Sequence, residues 1–115
     1  MTERDPSAAR DTVIRLRDAG VSIAALARTT GASRRTVDAW LRRQRAPSDE
    51  QAARLVELAA IVDRAATVIK PDYIPIWLCR SVPALDGERP IDLIARGEFR
   101  RVEQILSGLE QQTAT

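Results

Sequence analysis

Apolar residues recur at helical spacing along the first part of the chain, in three short runs that turn residues separate. Asp5 is a good N-cap and Pro6 suits the first helical position, so a first helix is predicted from these residues to Gly20. Two shorter helices are predicted over residues 22–31 and 33–43, each beginning at a serine that can cap it. The expected inward-facing positions of the three helices are Val13, Ile14, Leu16, Ala19, Ile23, Leu26, Ala27, Val37, Trp40 and Leu41.

Two short helices joined by a Gly-Ala-Ser turn at residues 31–33 are typical of a helix-turn-helix. Such a motif has an apolar and a small residue on its first helix, glycine at the turn, and two apolar residues on its second helix. In this chain those places are held by Leu26, Ala27, Gly31, Val37 and Trp40. The sequence therefore predicts a helix-turn-helix near its N-terminal end.

The face of the third helix opposite its apolar stripe is basic, with a small residue at its centre. Arg35, Ala39 and Arg42 lie on this face. The small Ala39 allows close approach to a DNA major groove, and Arg34 or Arg35 can donate two hydrogen bonds to guanine O6 and N7. Phosphate contacts from the neighbouring arginines would add a salt-dependent attraction. The predicted DNA-binding residues are Arg28, Ser33, Arg34, Arg35, Thr36, Ala39, Arg42, Arg43 and Arg45. The alternative is a solvated basic helical hairpin on a protein surface.

A longer helix is predicted to follow, because Ser48 and Gln51 have the spacing of a capping box. It reaches about Val68 before Lys70 and Pro71 end it. Its apolar positions repeat at heptad-like spacing, at Leu55, Leu58, Ala59, Val62, Ala65, Ala66 and Ile69. Further alanines at positions 52, 53 and 60 widen this apolar face, so we expect the helix to pack on both halves of the chain or on a second chain.

The remaining sequence is divided by proline and glycine into short pieces. It predicts a turn of helix over residues 73–79, a bend over 83–87, a helix opened by Pro90, and a last helix from Glu98 to about Leu109. The predicted fold is therefore all-α. Residues 1–47 would form the helix-turn-helix module, and residues 48–115 would form a connecting helix and a small helical C-terminal module.

Net charge differs in sign between the two predicted modules. The whole chain has 18 Lys and Arg against 16 Asp and Glu, a net charge of +2. Residues 1–47 contain ten basic and five acidic residues, and residues 48–115 contain eight basic and eleven acidic ones. Charges of +5 and −3 indicate that the first module binds a polyanion and that the second meets a different partner.

The composition also argues against several classes of protein. The chain has no histidine and one cysteine, Cys79, which excludes a zinc site built from Cys and His, a disulfide within the chain and a triad with a histidine base. It has no Gly-rich phosphate loop. We therefore expect no enzyme, no catalytic residue, no metal and no cofactor. No apolar run approaches the ~20 residues of a membrane span, and the first residues are too polar for a signal peptide, so we expect a cytoplasmic protein without membrane contact.

A spaced pattern in the second half resembles a known family. The pattern consists of Trp77-Leu78, Pro83-Ala84-Leu85, Gly87, Pro90-Ile91-Asp92-Leu93-Ile94 and Gly97-Glu98-Phe99. It is similar to the C-terminal toxin-binding domain of the Xre/MbcA/ParS-like antitoxins, small bacterial proteins with an N-terminal helix-turn-helix. The resemblance covers about residues 55–109 and includes the order of the two modules. We interpret the motif residues as determinants of the fold rather than as contacts, namely Trp77, Leu78, Leu85, Gly87, Pro90, Leu93 and Gly97.

The resemblance implies a type II toxin–antitoxin system whose toxin has a RES domain and depletes NAD. It implies that the first module binds the operator of its own operon and represses it, and that residues 48–115 bind the toxin and block its active site. A homodimer or a larger assembly with the toxin is expected. Members of the family often end in an apolar or aromatic tail, whereas residues 111–115 of this chain are Gln-Gln-Thr-Ala-Thr. The last helix is therefore expected to carry the contact. The residues assigned to toxin binding are Arg89, Arg100, Gln104, Gly108, Gln111 and Gln112. The alternative function is a stand-alone helix-turn-helix regulator whose C-terminal module only dimerises.

Overall fold

The computed structural model describes residues 6–113, which form α-helices and short 3₁₀ turns with no β-strand among them. The helices are α1 (Pro6–Asp18), α2 (Ile23–Thr30), α3 (Arg34–Leu41), α4 (Asp49–Ala65), α5 (Ile74–Leu78), α6 (Pro90–Ala95) and α7 (Phe99–Thr113), and the 3₁₀ turns are Pro71–Tyr73 and Pro83–Leu85. The all-α prediction is confirmed. The predicted N-cap at Asp5 lies outside the described residues. None of the described helices is both long and apolar enough to cross a bilayer.

Serine caps begin the three central helices at the predicted positions. The side-chain oxygens of Ser22, Ser33 and Ser48 each accept a hydrogen bond from the backbone N–H three residues later, at 3.0, 3.1 and 3.1 Å. The Gln51 side chain also accepts from the Ser48 N–H at 2.9 Å, which completes the capping box. These local hydrogen bonds satisfy N–H groups that a helix start leaves without partners, and they fix the starts of the helices that build the helix-turn-helix and its connection.

Helix α4 lies at the centre of the molecule. It packs against α1 and α2 on one side and against α6 and α7 on the other. The buried apolar residues of both halves form one continuous core, from Val13 and Trp40 to Leu93 and Leu106. Of the two arrangements expected for α4, the structure shows packing on both halves of the chain. The proposed boundary between residues 47 and 48 therefore separates two parts that share a core.

Several predicted inward-facing residues are less buried than expected. Ile14 and Ala19 of the first predicted helix and Leu41 of α3 are only half-buried. In α2 the buried residues are Ala25, Leu26, Thr29 and Thr30, whereas the predicted Ile23 and Ala27 are only half-buried. The threonine hydroxyls donate to the carbonyl oxygens of Ala25 and Leu26 at 2.8 Å each, so burial leaves neither hydroxyl unsatisfied. In α4 the structure adds Ile61 to the buried face and leaves Ala53, Ala60 and Ala66 exposed, so the buried face is narrower than predicted.

Three helix ends also differ from the prediction. Helix α3 ends at Leu41 and α4 at Ala65, both before the predicted ends at about residues 43 and 68. The N–H groups of Val68 and Ile69 both donate to the Ala65 carbonyl, and this tight turn ends α4 before Pro71. Helix α7 continues to Thr113, past the predicted end at about Leu109.

The motif positions of the second half lie in the core or at turns. Trp77, Leu78, Leu85, Pro90 and Leu93 are buried. Gly87 and Gly97 have positive φ angles of +79° and +83°, a conformation that glycine adopts without steric cost. Pro90 begins α6, where its missing N–H removes no helical hydrogen bond.

Candidate nucleic-acid interface and partner surface

Helix α3 presents the polar face that its sequence predicts. Val37 and Trp40 are fully buried, whereas Arg35 is exposed and Ala39 is half-buried. Ser33 caps the helix and also donates from its hydroxyl to the Thr36 hydroxyl at 3.0 Å. The short helix is thus held by its cap and its buried side, and its basic side is presented to solvent.

A backbone motif at the end of α3 holds Arg43 in an unusual conformation. The Arg43 N–H donates to the Trp40 carbonyl at 3.1 Å, and the Gln44 N–H donates to the Ala39 carbonyl at 2.9 Å. These two bonds are those of a Schellman motif, in which the residue at the Arg43 position is usually glycine. Arg43 has a φ of +59°. Its side chain therefore extends from a left-handed turn directly after the predicted recognition helix.

The nine predicted DNA-binding residues all lie on α2, on α3, in the turn between them or in the loop after α3. Their arginines differ in whether they form ion pairs. Four of them, Arg34, Arg35, Arg43 and Arg45, are exposed and form no ion pair with any residue that the structure describes. Arg42 pairs with Asp38 one turn earlier at 3.0 Å, an exposed pair of small energetic value. Arg28 pairs with Asp92 of α6.

The Arg28–Asp92 pair joins the two halves of the chain and was not predicted from the sequence. The Arg28 Nε donates to Asp92 Oδ1 at 2.8 Å. Arg89 donates to both oxygens of the same carboxylate, at 2.8 and 3.2 Å. The hydrogen bond from Arg89 and then the one from Arg28 lower the pKa of Asp92, although partial burial opposes the shift. Asp92 is 64 residues from Arg28, and no short-range pattern connects them.

Five of the six residues assigned to toxin binding lie together on α7. Arg100, Gln104, Gly108, Gln111 and Gln112 are exposed, on the side of the helix opposite the buried Val102 and Leu106. Apart from its chain neighbours and the backbone of its own helix, no atom lies within 4 Å of where a Cβ on Gly108 would be, so the surface around this glycine is open. The sixth residue, Arg89, is apart from this group: it precedes α6 and lines a hollow with Ser22, Arg28 and Cys79.

Polar contacts in the turn before helix α7 and near its middle connect the helix to the rest of the described structure. Near its start, Arg96 donates to Glu88 at 2.7 and 2.8 Å and to Glu98 at 2.9 Å, and Arg101 donates to Glu98 at 3.2 Å. Near the middle of the helix, Arg64 of α4 donates to the Ser107 hydroxyl at 2.7 Å. The predicted partner surface is therefore presented by a helix with a defined orientation.

Comparisons with known proteins agree with both parts of this description. A family model described as a homeodomain-like domain matches residues 9–54. The mycobacterial cidal antitoxin MbcA of Mycobacterium tuberculosis, and that of Mycobacterium bovis, are each 31% identical to this chain over 80 residues, which are 70% of this chain and 71% of the relative. In the crystal structure of the M. tuberculosis MbcT–MbcA toxin–antitoxin complex, a chain superposes with a TM-score of 0.79 and 26% identity, covering 90% of this chain and 94% of that one. The predicted helix-turn-helix and the predicted family are both confirmed, and the chain belongs to the family of MbcA-like antitoxins.

Proposed function

We propose that this protein is the antitoxin of a type II toxin–antitoxin pair and that it works by binding rather than by catalysis. It binds a RES-domain toxin that degrades NAD, covers the active site of that toxin, and represses its own operon through the helix-turn-helix. The observation that carries the proposal is the similarity to MbcA, which extends over both parts of the chain in the same order. Both activities would take place in the cytoplasm, where operator DNA and NAD are found.

The surfaces of the molecule support two separate binding partners. The exposed arginines on and after α3 suit DNA, since phosphates and guanine edges accept hydrogen bonds from guanidinium groups. The exposed side of α7 is mixed in charge and contains Gly108, which suits close packing against another protein. We therefore assign operator binding to α2 and α3, and toxin binding to α7.

Co-expression tests the toxin assignment. The protein encoded beside this gene, which the proposal identifies as a RES-domain toxin, is expressed alone and with the antitoxin, and growth and cellular NAD are measured. We expect the antitoxin to restore both. The variant Gly108→Arg should fold, because the site is open and arginine favours a helix by about 0.8–1 kcal/mol over glycine, but its side chain should obstruct the toxin. Ala60→Arg, on an exposed position of α4, is the matched control and should protect fully.

Two arginine-to-alanine variants test the division between the surfaces. Arg35→Ala should weaken binding to DNA from upstream of the gene by about 1–3 kcal/mol and relax its sequence preference, with neutralisation intact. Arg100→Ala, on α7, is the reciprocal control and should leave operator binding unchanged. Fluorescence anisotropy with labelled DNA measures the first effect. If Arg35→Ala impaired toxin neutralisation as much as operator binding, the two functions would not be divided between α3 and α7.

The same experiments address the alternative of a stand-alone regulator. That function predicts sequence-specific DNA binding without recovery of the neighbouring RES-domain protein on an affinity column. The proposed function predicts a complex whose mass, measured by light scattering after gel filtration, includes toxin and at least two antitoxin chains, because helix-turn-helix proteins commonly bind two half-sites as dimers.

A further inference from the structure

A shallow hollow between α2 and α3 combines small residues with two cations. It has a volume of about 450 Å³. Its lining consists of Ala24, Ala27, Arg28, Gly31, Ala32 and Arg34. Small side chains leave the backbone accessible, and two guanidinium groups at one hollow suit a phosphate, which both can bind through paired hydrogen bonds. In a helix-turn-helix the first helix crosses the DNA backbone, so this hollow lies where a phosphate would approach.

One of these two arginines is oriented from outside the helix-turn-helix. The Arg28 Nε donates to Asp92 Oδ1 at 2.8 Å, and no other hydrogen bond of the Arg28 side chain is formed within the described residues. The guanidinium is planar, so a partner at Nε fixes the plane and leaves the end with both Nη groups available. The Arg28 side chain is 60% exposed, whereas that of Asp92 is 19% exposed.

Asp92 is itself held in a single position. Arg89 donates from Nε to Oδ2 and from Nη2 to Oδ1 of Asp92, and the carboxylate belongs to the first turn of α6. Both oxygens therefore have partners: Oδ2 accepts from Arg89, and Oδ1 accepts from both Arg89 and Arg28. A braced carboxylate reduces the number of orientations that the Arg28 side chain adopts before binding, and this lowers the entropy lost when Arg28 binds a phosphate.

From this geometry we propose that the hollow binds a backbone phosphate of the operator and that Asp92 is the positioning residue of this site. The inference rests on the proposed operator binding. It makes α6, which belongs to the C-terminal part, a component of the DNA-binding apparatus. A carboxylate near DNA ordinarily repels the phosphates, so its removal is expected to strengthen binding. The proposal predicts the opposite for Asp92: its removal weakens operator binding.

The test measures operator affinity as a function of salt for the full chain and for the variants Asp92→Asn, Arg28→Ala and the combination of the two. Asp92→Asn should weaken binding by about three- to tenfold, and the slope of log affinity against log salt should fall by up to about 0.9, the value for one phosphate contact. In the Arg28→Ala background, Asp92→Asn should cause no further loss. Tighter binding by Asp92→Asn in both backgrounds would overturn the proposal.

Two controls are needed. One distinguishes a positioning role of Asp92 from a role in the folding of α6, and the other distinguishes failure of this inference from failure of the proposed repressor function. Arg89→Gln removes the brace but leaves the Arg28–Asp92 pair, so it should weaken operator binding less than Asp92→Asn does. If Arg89→Gln or Asp92→Asn caused its full loss in the Arg28→Ala background as well, it would act on the fold of α6 and the proposal would be wrong. If the wild-type chain showed no preference for operator over random DNA, the proposed repressor function would fail, and this outcome differs from every result expected for the variants.

Discussion

At the scale of single residues, Arg43 has a strained backbone conformation and places a positive charge directly after the predicted recognition helix. Its φ of +59° places an L-residue in the left-handed region, which costs roughly 1–2 kcal/mol relative to right-handed backbone. Both hydrogen bonds of the Schellman motif are made around it, so the turn is well defined. Glycine would fit this turn better, but it would remove a guanidinium next to the predicted recognition helix.

We predict that Arg43→Gly stabilises the protein and weakens operator binding. The free energy of unfolding should rise by about 0.5–1 kcal/mol, because relief of the left-handed strain exceeds the flexibility that glycine adds to the unfolded chain. Urea unfolding and the salt dependence of operator binding measure the two effects. Arg42→Gly is the matched control: it removes the adjacent charge at a φ of −89°, where glycine relieves no strain and should destabilise.

At the scale of elements, the turn between α6 and α7 is held by a cluster of ion pairs. Hydrogen bonds from Arg96 lower the pKa of Glu88 and of Glu98 below the ordinary value of 4.5, with Arg101 contributing to both shifts. Gly97, in the same turn, approaches Arg54 of α4: a Cβ there would lie 3.2 Å from Nη2. The turn thus joins α6 and α7 and sets the angle at which α7 presents its outer side.

This cluster predicts a specific acid sensitivity. A carboxylate with a lowered folded pKa contributes stability above its unfolded pKa, and the contribution is lost as the pH falls through the folded value. The thermal midpoint should therefore decrease as the pH falls below about 4.5, and it should decrease less steeply in Arg96→Gln, which lacks the main cause of the shifts. Arg80→Gln is the control, since Arg80 contacts Tyr73 rather than a carboxylate in the described structure. Identical pH profiles for wild type and Arg96→Gln would contradict this account.

At the scale of the whole molecule, the two parts of the chain are in contact at the turn between α1 and α2. Gly20 has a φ of +96°, and a Cβ at this position would lie 2.7 Å from the Pro75 Cγ of α5. Helix α4 also packs on helices of both parts. From these shared contacts we predict that the two modules expected from the sequence unfold as one cooperative unit.

The comparison of two glycines tests this cooperativity. Gly20→Ala should lower the free energy of unfolding by about 2–4 kcal/mol, because it adds a steric conflict with Pro75 to the left-handed strain. Gly31→Ala should cost only about 1 kcal/mol, since its φ is +75° but no atom lies within 4 Å of the added Cβ. Urea unfolding should show a single transition for both variants. A Gly20→Ala chain that unfolds in two steps would mean that the parts fold independently.

Much of the architecture was predictable because its signals are local. The serine caps, the glycine turns and the apolar stripe of α3 depend on residues within about four positions of each other, and the structure shows them where the sequence predicts them. The assignment of opposite charge to the two parts likewise needs no coordinates. The end of α4 was less predictable, because the turn after Ala65 forms in the context of the α4–α5 connection rather than from the periodicity of the helix.

By itself, then, the sequence determined the helices, their order, the basic side of α3 and the membership of an antitoxin family. Tertiary structure decided the burial of Thr29 and Thr30, the contact of Gly20 with Pro75, and the pairing of Arg28 with Asp92. The physical reason is the separation along the chain between the residues that interact. Capping and periodicity act between neighbours along the chain, whereas these contacts depend on which helix faces meet when α4 packs against both parts of the protein at once.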